Sequence, residues 1–547
     1  AFQRFRLTAE TAVLNHAVPQ VTLPSGATID GKRLAPVGAF TDNANGYMNI
    51  RYATAGRFEA PVLYSPPSVA FLDGTVDNEP CMQYAKGKTE GVEECLTLAV
   101  YTPVSPPKRP RDVMVWIHGG NYVMGKIAWD IGSMNHIVHT GDVIVVAIQY
   151  RLGTFGFWQP PGQTSVPANR GLRDQIEALR WVQSNIEGFG GNPDSVTIWG
   201  QSAGGRSVTA LYQSPMTRGL FHRAIAESPG FQSTMFEVPT EKAAEGLGRR
   251  CMEAVYCTSV ECMKSLQGEL LASGCVFFSD TSDFIRQPGV YFAGYDGEVL
   301  TGPLSTPLCK EVLAANEGLP MLVGSMANEW RLFGGLPAWD MTKRFLWESM
   351  HGYETSNAQA QNCAAWTFNQ AFNGAVCNMA SGNCPKFGKP NYMQAATDVY
   401  VLGVGLNLGP GSGARYHYVL DIEAAGGTCG SCHCGELQLL MGGSDPMFVS
   451  SSFVNDGAWL ALRTQLIDYW LSFAKTGVPS SAQGPKWAPV DRSSDPASTW
   501  GLPLMDFNLS SKVAIRSSEF FSNTAQQKST DILCGRTPLY PACAAAR

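Results

Sequence analysis

A serine between glycines is the residue of this sequence whose setting points most directly to chemistry. Residues 200–204 read Gly-Gln-Ser-Ala-Gly and directly follow an apolar, β-branched run at residues 196–199. A G-x-S-x-G pattern between a strand and a helix places its serine on a tight turn that exposes the Oγ as a nucleophile. The alternative is a Gly/Ser turn without chemistry, and the preceding strand argues against it. We therefore expect Ser202 to attack an acyl carbonyl.

A second glycine-rich stretch could stabilise the product of that attack. Residues 118–121 read His-Gly-Gly-Asn and follow another apolar run. Attack on an ester creates a negatively charged oxygen, which fixed backbone N–H groups stabilise. Glycines let those N–H groups approach the reacting carbon closely. The predicted donors are Gly119, Gly120 and Ala203, although the Gly-Gly pair taken alone would be interpreted as an ordinary turn.

Short, continuous apolar runs predict the strands that position these residues. They lie at residues 113–117, 143–148, 196–199, 321–324 and 415–420. Continuous apolar runs of this length are typical of strands that are buried on both faces by helices. The sequence therefore predicts a large, mostly parallel sheet with helices on both sides.

Residues 169–189 predict the helix that crosses between two of these strands. Their apolar positions recur at steps of three and four, which gives one helical face. These positions are Leu172, Ile176, Leu179, Val182 and Ile186. Strand, helix and strand at this spacing form a crossover unit of an α/β fold. We expect one α/β domain over residues 1–547, with small strands near the N-terminus and a helical insertion at about 335–400.

Composition excludes several classes of function. Hydrophobic residues make up 44% of the 547 residues and charged residues only 16%, which excludes a disordered chain. The net charge is −6, and the longest basic cluster is residues 108–111, so we expect no nucleic-acid partner. No apolar run approaches the ~18 residues that a membrane span needs. We therefore expect no membrane span.

The cysteines favour an oxidising compartment. The chain has 15 cysteines and begins at Ala1 without Met, which fits a secreted protein whose signal peptide has been removed. A trimmed chain would look the same at its first residue. Asn508, in the Asn-Leu-Ser sequon at residues 508–510, is the predicted glycosylation site. Because the cysteine count is odd, at least one thiol is free or pairs with another chain.

Several stretches together resemble one protein family. The longest is residues 169–205, NRGLRDQIEALRWVQSNIEGFGGNPDSVTIWGQSAGG. Shorter matches are EECL at 93–96, WIHGG at 116–120, YRLG at 150–153, AESPG at 226–230, YWLSFAKTG at 469–477 and WAP at 487–489. With these motifs the chain resembles a type-B carboxylesterase, of the carboxylesterase, cholinesterase and fungal lipase group. The resemblance implies the α/β-hydrolase fold and a catalytic order of Ser, Glu and His.

The resemblance also implies the acid and the base. Residues 324–329 match the family's G-x-x-x-x-E spacing after a strand, which makes Glu329 the carboxylate that orients the base. Residues 433–437 read His-Cys-Gly-Glu-Leu and resemble the family's H-G-x-E-L, which makes His433 the general base. Here the sequence departs from the family at Cys434, where a small residue is usual.

Other residues near these motifs have less certain roles. Ser228 is implied by the resemblance as a supporting residue beside Glu329 and His433. His351 and His417 are the alternative bases, and both are more naturally interpreted as structural. Four aromatic residues lie beside the motifs and either line a substrate pocket or pack in the core. These are Trp199, Phe231, Trp330 and Phe333.

The cysteines around His433 allow other interpretations. Residues 429–433 fit the C-x-x-C-H pattern of covalent haem attachment, and three thiols beside a histidine could suggest zinc. Zinc would occupy the imidazole that Ser202 needs, and nothing else in the sequence indicates a haem pocket. Disulfides that fix this loop are therefore preferred, and we expect neither a metal nor a cofactor.

The resemblance implies two further disulfides. Cys81 and Cys95 match the first disulfide of the family. Cys262 matches the second member of the next one, and its partner is Cys251 or Cys257, of which Cys251 has the more usual spacing. The loop between Cys81 and Cys95 is short, charged and free of tryptophan. Such a loop argues against a cholinesterase, which stacks a tryptophan on its cationic substrate, and makes a poor lipase lid.

Taken together, the residues and the resemblance predict a secreted serine carboxylic-ester hydrolase. It would act through an acyl-enzyme on a small or medium-sized ester. Acyl transfer to an alcohol or amine by the same triad is an open alternative, as is a lipase or sterol esterase. A non-catalytic adhesion module on this fold is disfavoured because all three triad candidates are present. The sequence does not indicate an oligomeric state.

Overall fold

The structure is a computed structural model. The described residues are 18–34, 44–85, 87–127, 134–162, 165–229, 248–275, 294–301, 315–327, 329, 413–443, 445–490, 503–509 and 514–517. The insertion predicted at residues 335–400 lies outside them.

The helices and strands have the following bounds. The strands are β1 (Gln20–Thr22), β2 (Thr28–Asp30), β3 (Lys32–Leu34), β4 (Ala44–Arg51), β5 (Ala53–Thr54), β6 (Val62–Leu63), β7 (Phe71–Asp73), β8 (Gln83–Ala85), β9 (Lys88–Glu90), β10 (Thr97–Pro103), β11 (Arg111–Ile117), β12 (Ile144–Ile148), β13 (Gly191–Gln201), β14 (Arg223–Glu227), β15 (Met321–Met326), β16 (Arg415–Asp421), β17 (Pro503–Asn508) and β18 (Ala514–Ser517). The helices are α1 (Asn135–Gly141), α2 (Gly153–Phe157), α3 (Arg170–Asn185), α4 (Ala203–Gln213), α5 (Arg249–Ala254), α6 (Val260–Ser265), α7 (Gly268–Gly274), α8 (Glu436–Met441) and α9 (Gly457–Thr476). Short 3-10 turns lie at Ile186–Phe189, Pro215–Thr217 and Glu423–Ala425.

One large mixed sheet organises the described part of the chain. Its strand order is β18-β17-β16-β15-β14-β13-β11-β12-β10-β4-β3. The neighbours from β17 to β12 pair in parallel, and the strands at both edges pair antiparallel. Each predicted apolar run lies within or overlaps one of the central strands. Near the N-terminus, β1, β2 and β7 form a separate small sheet, so the predicted fold class is confirmed.

The continuous apolar runs are explained by burial on both faces. Along β11, Val113, Val115 and Ile117 pack into the core on one side of the sheet, where α3 and α4 lie. Met114 and Trp116 pack into the core on the other side, with α9. Because a strand turns alternate side chains to opposite faces, a strand covered on both faces must be apolar throughout.

The predicted crossover helix is α3. It connects β12 to β13, and the five apolar positions that predicted its buried face are all fully buried. Asn169 precedes it in a left-handed conformation, and Gly190, also left-handed, ends the 3-10 turn that follows. The strand after it begins at Gly191, earlier than the apolar run, because Gly191 already pairs with Arg111 of β11.

A buried ion pair joins this helix to the loop after β12. Arg151 donates from Nη2 to Asp174 Oδ1 at 2.7 Å and from Nε to Asp174 Oδ2 at 2.8 Å. The Arg151 backbone N–H also donates to Asp174 Oδ2 at 3.0 Å, and its guanidinium reaches the carbonyl of Glu59. Both charged side chains are buried. The pair therefore fixes the end of the strand β12 against the crossover helix.

We expect Asp174→Ala to cost about 3–5 kcal/mol in unfolding free energy, because it leaves the Arg151 charge buried without its partner. The matched control is Glu94→Ala, which breaks the exposed ion pair with Arg51 and should cost at most about 1 kcal/mol. Chemical denaturation of the three proteins measures both effects. If both substitutions lowered the unfolding free energy by the same amount, the buried pair would not stabilise the fold more than the exposed pair, and the prediction would be wrong.

Candidate active site

The predicted nucleophile lies on a sharp turn between β13 and α4. Ser202 has φ 58° and ψ −122°, a backbone conformation that a residue with a side chain rarely adopts. Its N–H donates to the carbonyl of Glu227 at 2.9 Å, which ties the turn to β14. Its side chain is only half-buried, whereas the residues on either side are buried. The turn therefore presents the hydroxyl at the carboxyl edge of the sheet.

The glycines of the motif are required by close backbone approach. A Cβ on Gly204 would lie 1.9 Å from the carbonyl oxygen of Ile117, the last residue of β11. A Cβ on Gly200 would lie 2.6 Å from the backbone of Gly204. The turn can thus pack against β11 only if both positions lack side chains.

The predicted oxyanion loop lies against the nucleophile. A Cβ on Gly119 would lie 3.0 Å from Ser202 Cβ and 2.8 Å from the carbonyl oxygen of Gln201. Gly120 has φ +107° and approaches the carbonyl of Met124. Ala203 is the first residue of α4, where the helix dipole favours negative charge. The structure therefore brings two of the three predicted donor residues, Gly119 and Ala203, directly beside Ser202, with Gly120 next in the chain.

His118 stabilises the oxyanion loop, and its contacts do not position the ring as an acid or a base. Its Nδ1 lies 2.8 Å from the carbonyl oxygen of Gly119, and its ring stacks on Tyr150 with 4.4 Å between the centroids. The Tyr150 hydroxyl donates to the His118 carbonyl at 2.8 Å. Burial lowers the pKa of His118 to about 4, so the ring is neutral at physiological pH.

The predicted acid and base form a short hydrogen bond. His433 Nδ1 lies 2.5 Å from Glu329 Oε2, and both side chains are buried. The other carboxylate oxygen, Oε1, accepts from Ser228 Oγ at 2.6 Å and from the Met326 N–H at 2.7 Å. Burial lowers the pKa of His433, but Cys434 and the Glu329 carboxylate raise it more, and the resulting pKa is well above its ordinary value.

The structure describes one of the two alternative bases and one of the four aromatic candidates. His417 lies within β16 and is buried in the sheet, and His351 lies outside the described residues. Trp199 is fully buried, and its Nε1 donates to Glu227 Oε1 at 2.7 Å, so this residue packs in the core. The other three aromatic candidates, Phe231, Trp330 and Phe333, lie outside the described residues.

Two buried carboxyl groups behind the triad candidates were not assigned a role from the sequence. Glu436, at the start of α8, accepts from Ser228 Oγ at 3.1 Å, so one hydroxyl lies between Glu436 and Glu329. Glu227, at the end of β14, accepts from the indole N–H groups of Trp199 and Trp470. Their signal in the sequence is that both belong to matched motifs, Glu227 to residues 226–230 and Glu436 to residues 433–437.

The carboxyl groups raise one another's pKa. Burial, followed by the negative charge of Glu329, raises the pKa of Glu436 to about 7, although His433 acts in the opposite direction. Burial and the charge of Glu436 raise the pKa of Glu227 well above its ordinary value. The raised pKa values oppose ionisation of both groups in the core behind the His433–Glu329 hydrogen bond.

The disulfides differ in part from the expectation. Cys81 is joined to Cys95, as the resemblance implied. The preferred pairing of Cys251 with Cys262 is wrong in this structure. Cys251 is joined to Cys275 at the end of α7, and Cys262 to Cys257, the alternative that the sequence left open. The turn between α5 and α6 brings Cys257 to Cys262 with 5.5 Å between their Cα atoms, and sequence spacing does not encode this.

The loop that contains His433 is closed by its own disulfide. Cys429 is joined to Cys432, so neither sulfur is free for haem attachment or for zinc. Across the described ranges there is no cluster of three or more potential metal-ligating side chains. The same ranges contain no helix with the length and hydropathy to span a membrane.

The predicted glycosylation site lies at the end of a strand. Asn508 is the last residue of β17 and is half-buried in the sheet. Its Nδ2, the atom that a glycan would occupy, donates to Asp421 Oδ2 at 3.2 Å. Glycosylation of Asn508 stays a prediction.

We expect the Glu436→Gln variant to gain stability relative to the unmodified protein as the pH rises from about 5 to about 8. The folded protein holds the Glu436 proton up to a pKa of about 7, whereas the unfolded chain releases it near 4.5. Ionisation therefore weakens the folded state as the pH rises between these values, by up to about 3 kcal/mol. The difference in Tm between the two proteins, followed across this pH range, measures the effect.

Glu253→Gln, at an exposed position of α5, is the control and should show no such trend. A Tm difference between Glu436→Gln and the unmodified protein that does not change with pH would contradict the raised pKa.

Comparison with solved structures identifies the fold. A structure named PNB esterase superposes with a TM-score of 0.70, covering 93% of this chain and 99% of that one, at 23% sequence identity. The match, together with the large mixed sheet flanked by helices, shows the α/β-hydrolase fold.

Comparison with known sequences identifies the family. Carboxylesterase 3B of Mus musculus is 36% identical over 293 residues, which cover 50% of this chain and 48% of that protein. A cocaine esterase of Oryctolagus cuniculus is 44% identical over 242 residues, covering 40% of this chain and 44% of that protein. The chain thus spans about half the length of the curated relatives it matches. The family model described as "Carboxylesterase family" matches residues 17–511, and this chain belongs to that family.

Proposed function

We propose that this protein is a serine carboxylic-ester hydrolase with Ser202, His433 and Glu329 as its catalytic triad. The observation that carries the proposal is the 2.5 Å hydrogen bond between His433 Nδ1 and Glu329 Oε2. A carboxylate in this position fixes the ring and its tautomer, so that Nε2 is left as the base. Membership of the carboxylesterase family supports the same chemistry.

In the first half of the reaction, Ser202 Oγ attacks the ester carbonyl and His433 Nε2 takes its proton. The Glu329 carboxylate stabilises the imidazolium, which is the form favoured by the raised pKa of His433. His433 then donates the proton to the leaving alcohol, and an acyl group remains on Ser202. Ser228 supports this step indirectly, since its hydroxyl holds the second oxygen of Glu329.

The backbone N–H groups of Gly119, Gly120 and Ala203 are the proposed oxyanion donors. The short approach between Gly119 and Ser202 supports this assignment, because the oxyanion forms next to the attacked carbon. One such donor contributes about 3 kcal/mol to transition-state stabilisation. In the second half of the reaction, water replaces the alcohol, and His433 activates it in the same way. Every step uses groups of this chain and water.

We also propose a small or medium-sized ester as the substrate. The loop closed by Cys81 and Cys95 contains a short hairpin, β8 paired with β9. A paired hairpin of this size leaves little apolar surface for a lipase-type lid. The natural ester and its acyl chain are left for experiment.

Secretion is proposed from the disulfides. Four are present among the described residues, and such bonds persist in oxidising compartments. Their positions support the fold at separate places, from the loop at Cys81 to the loop at Cys432.

We expect Ser202→Ala to reduce hydrolysis of p-nitrophenyl acyl esters by about 10⁴-fold or more, because the nucleophile is removed. A series from acetate to palmitate would measure the acyl-chain preference at the same time. Ser184→Ala is the matched control, since Ser184 is exposed on α3, and its activity should equal that of the unmodified protein.

Equal activity of Ser202→Ala and the unmodified protein would contradict the assignment. Product analysis with a competing alcohol separates hydrolysis from acyl transfer. A dominant new ester would replace hydrolase by acyltransferase as the function of the same triad.

A further inference from the structure

A free thiol lies directly beside the proposed base. Among the described cysteines, Cys434 is the one that is not in a disulfide, and it is half-buried. It follows His433 in the chain. Its φ is 74°, which is a backbone conformation that usually favours glycine. The Cys434 side chain is one of the groups that raise the pKa of the neighbouring His433. None of the proposed steps of ester hydrolysis uses this sulfur.

A second contact fixes where the thiol lies. Cys434 Sγ donates to Gln201 Oε1 at 3.3 Å, and Gln201 directly precedes the nucleophile. The same Oε1 would lie 3.3 Å from a Cβ on Gly119, the residue that approaches Ser202. The sulfur therefore occupies a small volume next to Gln201 and the oxyanion loop, one residue after the base in the chain.

The Gln201 side chain leaves a polar atom unused in that volume. Gln201 is only 2% exposed, and its Nε2 has no hydrogen-bond partner among the described residues. The two ends of a side-chain amide share one carbon, so Nε2 lies at the same end of Gln201 as the oxygen that contacts the thiol. A buried donor without an acceptor is unfavourable. A polar group attached to Cys434 would bring an acceptor within its reach.

Thiol–disulfide exchange is the reaction that a free thiol at this position offers. The thiolate is the nucleophilic form of cysteine in this reaction. A thiolate attacks a disulfide at one sulfur, and the other sulfur leaves. Partial exposure gives a small reagent access to this free thiol.

We propose that Cys434 is a covalent modification site for small disulfides, and that its modification reversibly blocks ester hydrolysis. The Cys434 sulfur attacks one sulfur of R–S–S–R, a new S–S bond forms, and R–S⁻ leaves with the proton that Cys434 has lost. The oxidised cysteine sulfur is balanced by the released thiol. The attached R–S group then fills the space between Gln201 and His433, where the ester must bind.

The blocking effect rests on the proposed function, whereas the modification itself does not.

In the test, the whole protein is treated with bis(2-hydroxyethyl) disulfide. The rate of ester hydrolysis is then measured, and peptide mass mapping locates the mixed disulfide. Two variants, Cys434→Gly and Cys434→Ser, are treated in parallel. Glycine suits the left-handed backbone at this position, and serine retains a hydrogen-bond donor of similar shape.

We expect a mixed disulfide on Cys434 and a loss of activity of about 100-fold or more, because the proton transfer by His433 is blocked. Mild dithiothreitol should restore the activity, and untreated protein with the same dithiothreitol controls for the structural disulfides. Each treated variant should hydrolyse the ester at the same rate as that variant without treatment. This comparison also controls for modification of cysteines elsewhere in the chain. Inactivation of the variants to the same extent, or modified protein with full activity, would overturn the proposal.

The mapping separates this proposal from the proposed function. If the untreated protein hydrolyses no ester, the proposed function fails, and the mass map still decides on the site. A mixed disulfide on Cys434 would then support the modification site, and an unmodified Cys434 would overturn it.

Discussion

The parallel register of four neighbouring strands is the constraint on which the candidate site depends. Strands β13, β14, β15 and β16 lie side by side, and their carboxyl ends are at the same edge of the sheet. Ser202 follows the first, Ser228 the second and Glu329 the third, and His433 lies in the loop after the fourth. A shift of one residue between β15 and β16 would separate the Glu329 carboxylate from the imidazole. The crossover helices and the two apolar cores that fix this register therefore determine how the candidate site is assembled.

Burial makes the polar interactions at this edge strong and constrains their charges. The Glu329–His433 pair is shielded from water, so the carboxylate stabilises a positive imidazole more than it would in solvent. Two further carboxyl groups, Glu227 and Glu436, lie close behind and share hydrogen bonds with Ser228 and two indoles. Their raised pKa values keep excess negative charge out of the core.

Local sequence patterns predicted much of this architecture, but they did not predict which residues far apart in the chain contact each other. The apolar runs and the helical face of residues 169–189 were confirmed. A strand that is buried on both faces needs apolar residues throughout, and a helix that is buried on one face needs them at every third or fourth position, so both patterns can be recognised in the sequence. The motif around Ser202 predicted a strained turn because only glycine fits its neighbouring positions. Glu329 and His433 needed the family resemblance, since they lie far apart in the chain. The partner of Cys251 and the indole contacts of Glu227 depend on how helices and loops pack, which spacing does not encode.

The most direct test of the account is the rate at which a fluorophosphonate labels Ser202, measured with peptide mapping in the unmodified protein and in His433→Gln. The account predicts that the label is found on Ser202 and that the substitution slows labelling by about 100-fold or more, because the proton acceptor is lost. A folded His433→Gln protein that labels at the unmodified rate, or a label on another residue, would contradict the triad.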